Sequence, residues 1–487
     1  MARASIVVVS AFSLFAAAAA ANAAPKYEPF SSGYGYMDPG EIQALLQAVA
    51  SGDHHAVRDH GWKLWAGIEQ PSAADPSWPI WSTWPNTKAA FAPAVRGALT
   101  ASAQASPQKS LIALNAGIRA GQSGAVAIPV NIKELPLYPI PQPVIDQYPH
   151  AVHDCAPPDG SPNICDGSHF LFNGDIMVPT ESLSQEGFDW IRDQHVYEQN
   201  TLNQVHAQGV KDLTLPQRYI VTKHMFWPVK AGRITAIPVW HDYHDGDFPY
   251  YAGYETWPDL VAVDPSGKQV GQTVEVSYLY GIRQPDTTTP WPTKTAMAKV
   301  YGLNDFYYHR VTQADWQSFD DNDKAILNAA SYWAYNQPFA PGDYLVTVAM
   351  HVNTREIASW ALQSAWWSDV PNAGPYAQDR PDLPQAKGPW RHYLLIDAYG
   401  IPDPANKNRL PVATNPYIEL VIHPVGTDCN NCHMRAGWPT GRTAGQASYQ
   451  NPDCPQSLDK LSPDSACFSK LTRSDFQWII PDRALAP

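Results

Sequence analysis

Near one end of the chain stand Cys429, Asn430, Asn431, Cys432 and His433 in succession. A C-x-x-C-H run sets two thiols and an imidazole where all three can bond one prosthetic group. Each thiol can add to a vinyl group of a haem, and the imidazole then lies beneath the iron as its proximal ligand. Two other uses of a C-x-x-C pair fail on their surroundings. A zinc ribbon needs a second such pair, and no other cysteines here have that spacing. A thioredoxin-like redox pair needs a strand leading into it within a βαβ unit, whereas residues 424–428 read as a turn. The expected cofactor is therefore one covalent haem c with its iron, anchored by Cys429, Cys432 and His433.

The pentapeptide resembles the haem site of the c-type cytochromes, a likeness confined to the last part of the chain. In small members of that family the motif opens the domain, and a methionine ligand follows several dozen residues later. Here no histidine follows His433, and the one methionine that does, Met434, adjoins the proximal ligand and cannot reach the opposite face. Any sixth ligand is expected from upstream. The candidates are His351 with Met350, His224 with Met225, His241, His244, His392 and His423. His351 leads them because it ends a strand pattern, where side chains often face a site. A satisfied core or surface histidine is the plain alternative for each. The run from His351 to Asp369, and Asn415-Pro416-Tyr417, also resemble stretches ahead of C-x-x-C-H in large monohaem periplasmic proteins. Without a sixth protein ligand the iron would be open to peroxide, oxygen, nitric oxide or carbon monoxide.

Compartment and charge agree with such a cofactor. Arg3 precedes an apolar run from Ile6 to Ala21, and Ala21 with Ala23 fits a cleavage site, so residues 1–23 read as a secretory signal peptide. The remainder is expected in the bacterial periplasm, with no later membrane span. In that oxidising compartment the other four cysteines are expected to close two short loops, Cys155 to Cys165 and Cys454 to Cys467. A formal charge of −13 argues against nucleic acid as a partner and leaves room for a basic redox protein. No G-x-S-x-G, P-loop or dinucleotide fingerprint supports a hydrolase or nucleotide enzyme. A small-molecule substrate is required only if the haem does enzymatic chemistry.

The elements that must position these residues suggest an α+β fold. Residues 24–210 read as mostly helical and loop, 211–400 as a β-rich body, and 401–487 as the haem segment. Helical spacing marks 41–49, 61–68, 187–208 and 315–333. Strand patterns cover 218–229, 234–240, 260–263, 273–279, 344–352 and 394–398. Asp320, Asp321 and Asp323 suit a helix N-terminus better than a calcium loop. The tryptophan groups Trp78, Trp81, Trp84 and Trp360, Trp366, Trp367 read first as core and second as pocket lining. His54, His55 and His60 read as surface. His241 to Asp247 could hold a divalent ion, or be an exposed turn. Three functions fit: a periplasmic single-electron carrier, which leads; a haem enzyme of peroxidase or oxygenase type, with a pocket built by the N-terminal body; and a haem-based sensor.

Overall fold

The strand patterns between residues 218 and 398 come together as two sheets, in a computed structural model that describes residues 27–76, 78–93, 128–129, 141–149, 178–241, 257–278, 293–420, 425–426, 428–439 and 459–486. The fold is α+β. The expected signal segment, Cys155, Cys165, Cys454, His244, His423 and Asp242 to Asp247 lie outside the described residues. Strands in chain order are β1 (Val178–Leu183), β2 (Ile220–Val229), β3 (Thr235–Pro238), β4 (Leu260–Asp264), β5 (Thr273–Tyr278), β6 (Lys294–Gly302), β7 (Tyr308–Arg310), β8 (Tyr344–Thr354), β9 (Ala361–Trp367) and β10 (Tyr393–Ala398). The large antiparallel sheet runs β10-β9-β8-β2-β1, with β7 pairing the start of β8. A smaller sheet runs β3-β4-β6-β5 and contains one parallel pair, β4 with β6.

β8 is the axis of the larger sheet. From Leu345 to Thr354 every residue is buried, so both faces are covered. Its register fixes the neighbourhood of His351, which lies opposite Lys223 on β2 and Ser364 on β9. Apolar contacts continue outward in one core that draws on residues from Tyr34 to Ala484. Trp360, Trp366 and Trp367 sit in it fully buried, as do Trp62 and Trp65.

Helices cover the sheet. α1 (Pro39–Ser51) and α2 (His54–Ile68) are started by Asp38 and Asp53, whose carboxylates accept from first-turn N–H groups. Gly52, with φ 75°, lets the chain reverse between them. α2 crosses the edge strand so closely that a β-carbon on Gly61 would lie 3.2 Å from Cδ2 of Leu395. Two expected helices are each divided. The 187–208 pattern forms α3 (Gln185–Asp193) and α4 (Gln199–Ala207), broken at His195 with φ 54°. The break turns Val196 and Tyr197 into the core, where the Arg192 guanidinium covers the Tyr197 ring at 3.9 Å. The 315–333 pattern forms a short turn of helix (Gln313–Ser318) and then α5 (Asp321–Tyr335). Thr312 with Asp315, and Asp320 with Asp323, each make a capping box, so two helix starts stand where periodicity shows one.

His60 corrects the surface reading. His54 and His55 are exposed, but α2 turns His60 inward, 3.2 Å from Oε2 of Glu356 and 3.7 Å from Oε2 of Glu41. Burial alone would lower its pKa; the two carboxylates outweigh this and raise it to about 9. The nearby imidazole of His60 and a hydrogen bond from Lys63 hold Glu41 down at about 2 against its own burial. A raised histidine pKa stabilises the fold fully below the unfolded value of about 6.5 and loses that contribution as pH climbs through the folded one. Denaturant unfolding should therefore show stability falling between about pH 6.5 and 9, by on the order of 3 kcal/mol from this site. His60→Gln should be destabilised at pH 6 and lack that decline; an unchanged slope in the variant would exclude the assignment.

Candidate functional site

The C-x-x-C-H residues form a single short helix, α6 (Cys429–Met434). Asp428 starts it, its buried carboxylate accepting from the Asn430 N–H at 2.9 Å. Positions three and four apart share one helix face, so Cys429, Cys432 and His433 point the same way. The intervening asparagines face the opposite way and dock the helix. Asn430 Nδ2 donates to the Ser359 carbonyl at 3.1 Å. Asn431 donates to the Asp459 carbonyl at 3.0 Å and accepts from the Leu461 N–H at 3.1 Å. Gly400, with φ 68°, makes room for this docking: a β-carbon there would lie 2.8 Å from Oδ1 of Asn430.

The imidazole is oriented by one bond. His433 Nδ1 lies 2.7 Å from the Phe476 carbonyl oxygen. A carbonyl only accepts, so Nδ1 carries the proton and the lone pair resides on Nε2. Among the described residues Nε2 has no hydrogen-bond partner. Burial pushes the His433 pKa down to about 4, so the ring is neutral near pH 7, the form that binds metals. Burial likewise pushes the Cys432 thiol up to about 12, and Cys429 well above its ordinary value. These are shifts of groups deep in the molecule, yet all three side chains keep accessible surface. Three donors on one partly accessible helix face are what a covalently attached macrocycle needs. The donor set and its tautomer thus fit a haem.

The same space holds three polar side chains from the sheet and its cover. Glu419 sits in a π-helical turn (Pro416–Leu420), with Oε1 2.8 Å from Nε2 of His351 and Oε2 2.6 Å from the Asn415 N–H. Burial raises the Glu419 pKa, but His351, the Asn415 N–H and Lys223 bring it below the usual range. Glu419 and Lys223 act electrostatically on His433, so these groups lie near the motif. Asn415 fixes that turn. Nδ2 donates to Oγ of Ser364 at 2.8 Å and to the Ala365 carbonyl at 3.0 Å, and Oδ1 accepts from the Tyr417 N–H at 2.9 Å.

The remaining candidates are placed elsewhere. His224 faces away from Lys223, stacked 3.6 Å from Trp81 and kept neutral by burial. His392 stacks on Trp367 at 6.3 Å. His241 lies between Asp369, 2.7 Å from Nε2, and Asp259, 3.1 Å from Nδ1; these carboxylates outweigh its burial and raise its pKa. Both ring nitrogens are thus engaged by carboxylates. Among the described residues no group of three or more His, Cys, Asp or Glu is arranged to hold a metal ion, and no helix is long and apolar enough to cross a membrane.

Lys223 and Glu419 went unread in the sequence because neither lies in a motif; Glu419 stands only two positions after Tyr417. A cleft of about 1170 Å³, lined in part by Trp78, stands apart from the motif. It lies by Tyr344, about 23 Å along β8 from His351 at strand rise. There Trp78 packs 4.1 Å from His309, whose Nε2 is 3.0 Å from Asp315.

The comparisons identify no relative: no protein-family model, curated protein or solved structure matches this chain. Asn415→Ala strips three buried hydrogen bonds from the turn that carries Glu419. It should cost about 2–3 kcal/mol in denaturant unfolding, since buried partners are left unpaired. A loss below about 0.5 kcal/mol would show that the turn holds itself by packing alone.

Proposed function

We propose that this chain is a periplasmic c-type haem protein that passes single electrons through one haem. Cys429 and Cys432 carry the macrocycle, and His433 is the proximal ligand. The observation that carries this reading is the bond from His433 Nδ1–H to the Phe476 carbonyl. It leaves a neutral Nε2, without a partner among the described residues, on the same helix face as the two thiols. Bound there, a haem supplies an iron that alternates between the ferric and ferrous states. The chain's own contribution is to hold one imidazole in one tautomer, enclose the site, and set its local charge. Lys223 and Glu419 supply that charge on the sheet side. The acidic surface suits a basic redox partner protein.

His351 is the proposed source of a sixth ligand. One observation favours the second reading, a haem enzyme of peroxidase or oxygenase type. Glu419 Oε1 lies 2.8 Å from Nε2 of His351, and a carboxylate–imidazole pair beside an open face would suit proton transfer to a bound substrate.

The absorption spectrum of purified holoprotein decides both points. Covalent attachment predicts a haem that acid–acetone does not extract, and that Cys429→Ala with Cys432→Ala abolishes. For the carrier, the ferrous protein should be low-spin and indifferent to carbon monoxide, and His351→Ala should turn it high-spin and reactive. Ready carbon monoxide binding by wild type, with no change of spin state in His351→Ala, would instead establish the open-faced enzyme site. Haem lost entirely to acid–acetone would refute the attachment itself.

A further inference from the structure

The carbonyl that orients His433 belongs to an unusual turn. Gln477 N–H donates to the Ser474 carbonyl at 3.0 Å, closing a tight turn over Ser474–Gln477. Its two central residues both have positive φ, 49° at Asp475 and 66° at Phe476. That sign pattern belongs to type I′ turns, which select Asn-Gly and similar pairs because most side chains resist the left-handed region. Phenylalanine is a costly occupant, so surrounding contacts must impose the conformation.

Those contacts converge on Asp475. Its Oδ2 accepts from Nε of Arg355 at 2.8 Å and from the Leu215 N–H at 2.9 Å, and its Oδ1 accepts from Nε1 of Trp360 at 3.0 Å. Arg355 and Trp360 flank the connection from β8 to β9, the hairpin whose first strand carries His351. On the other side, the Ser474 N–H donates to the carbonyl of Ala436, just past α6, at 2.9 Å. Both ends of the clamp are therefore tied to rigid elements, and the carbonyl between them meets His433.

We propose that Asp475 is the positioning residue for His433: by clamping the turn to Arg355, Trp360 and Leu215, it aims the Phe476 carbonyl at Nδ1–H and so tunes the imidazole as a haem ligand. This rests on the haem reading above. A firm N–H···O=C bond increases electron donation from Nε2, which favours the ferric state and lowers the reduction potential. Loss of the clamp weakens that bond without touching any group that contacts the haem.

Potentiometric titration of two holoprotein variants tests this. Asp475→Gly keeps positive φ accessible and removes the carboxylate. Arg355→Gln leaves the turn sequence intact and removes one donor. Both should retain thioether-linked haem, and both should have a higher reduction potential than wild type, Asp475→Gly by the larger shift. A purely structural role would lower the melting temperature and leave the potential in place. If Asp475→Gly yields no holoprotein, the result for Arg355→Gln decides. Haem-loaded variants with an unchanged or lower potential would overturn the inference while the haem reading stands. Wild-type protein without covalent haem would overturn that reading instead.

Discussion

A helix of six residues cannot hold its shape in water, because too few hydrogen bonds repay the ordering of its backbone. Cys429–Met434 is such a helix, and much of the surrounding structure consists of what keeps it in place. Asp428 satisfies its first orphan N–H; Asn430 and Asn431 replace the usual apolar face with directed bonds to backbone groups. Polar docking of this kind fixes rotation as well as position, since each amide accepts or donates in one direction only. Apolar packing would leave the helix free to roll by several degrees. For a face that carries two thiols and one imidazole nitrogen together, rotation is the coordinate that matters most.

On the other side of the pocket the constraint is the register of β8. A shift of one residue would send His351 to the opposite face, where His224 is now stacked on Trp81. The strand is paired along both edges and buried on both faces, so such a shift has no inexpensive form. Lys223, His351 and Glu419 are thereby assembled where water is scarce. Burying such a set is a poor way to gain stability, because desolvation offsets the mutual attraction. Its retention beside the motif is better explained by what it does to the charge of the site.

Much of this was legible in the sequence, and the exceptions have physical causes. Strands β2, β4, β8 and β10 fall within a few residues of their patterns, because alternation and β-branched residues mark a pleated, buried surface directly. Periodicity located the helices but not their divisions. The capping residues Thr312 and Asp320 were present in the sequence, whereas the left-handed break at His195 had no local signal. His60 was misread because its carboxylate partner Glu356 lies 296 positions away. The C-x-x-C-H run marked its own three residues, since the motif is a local spacing. The tautomer of His433 depends on a carbonyl 43 positions later, in a turn whose Asp-Phe centre contradicts the residues that such turns select.

That contradiction bears on the size of the protein. Besides Asp428, Asp459 and Leu461 nearer in sequence, the motif is supported by Ser359 and Phe476 directly, and by Leu215, Arg355 and Trp360 through Asp475. This second group lies far from the pentapeptide in sequence. A positive-φ phenylalanine persists only where distant contacts over-determine it. A free-standing segment around the motif would relax this turn and release the His433 ring. The large upstream body is therefore not a separate attachment to the segment that carries the motif. It is the rigid frame against which one strained carbonyl, and through it one imidazole, is held.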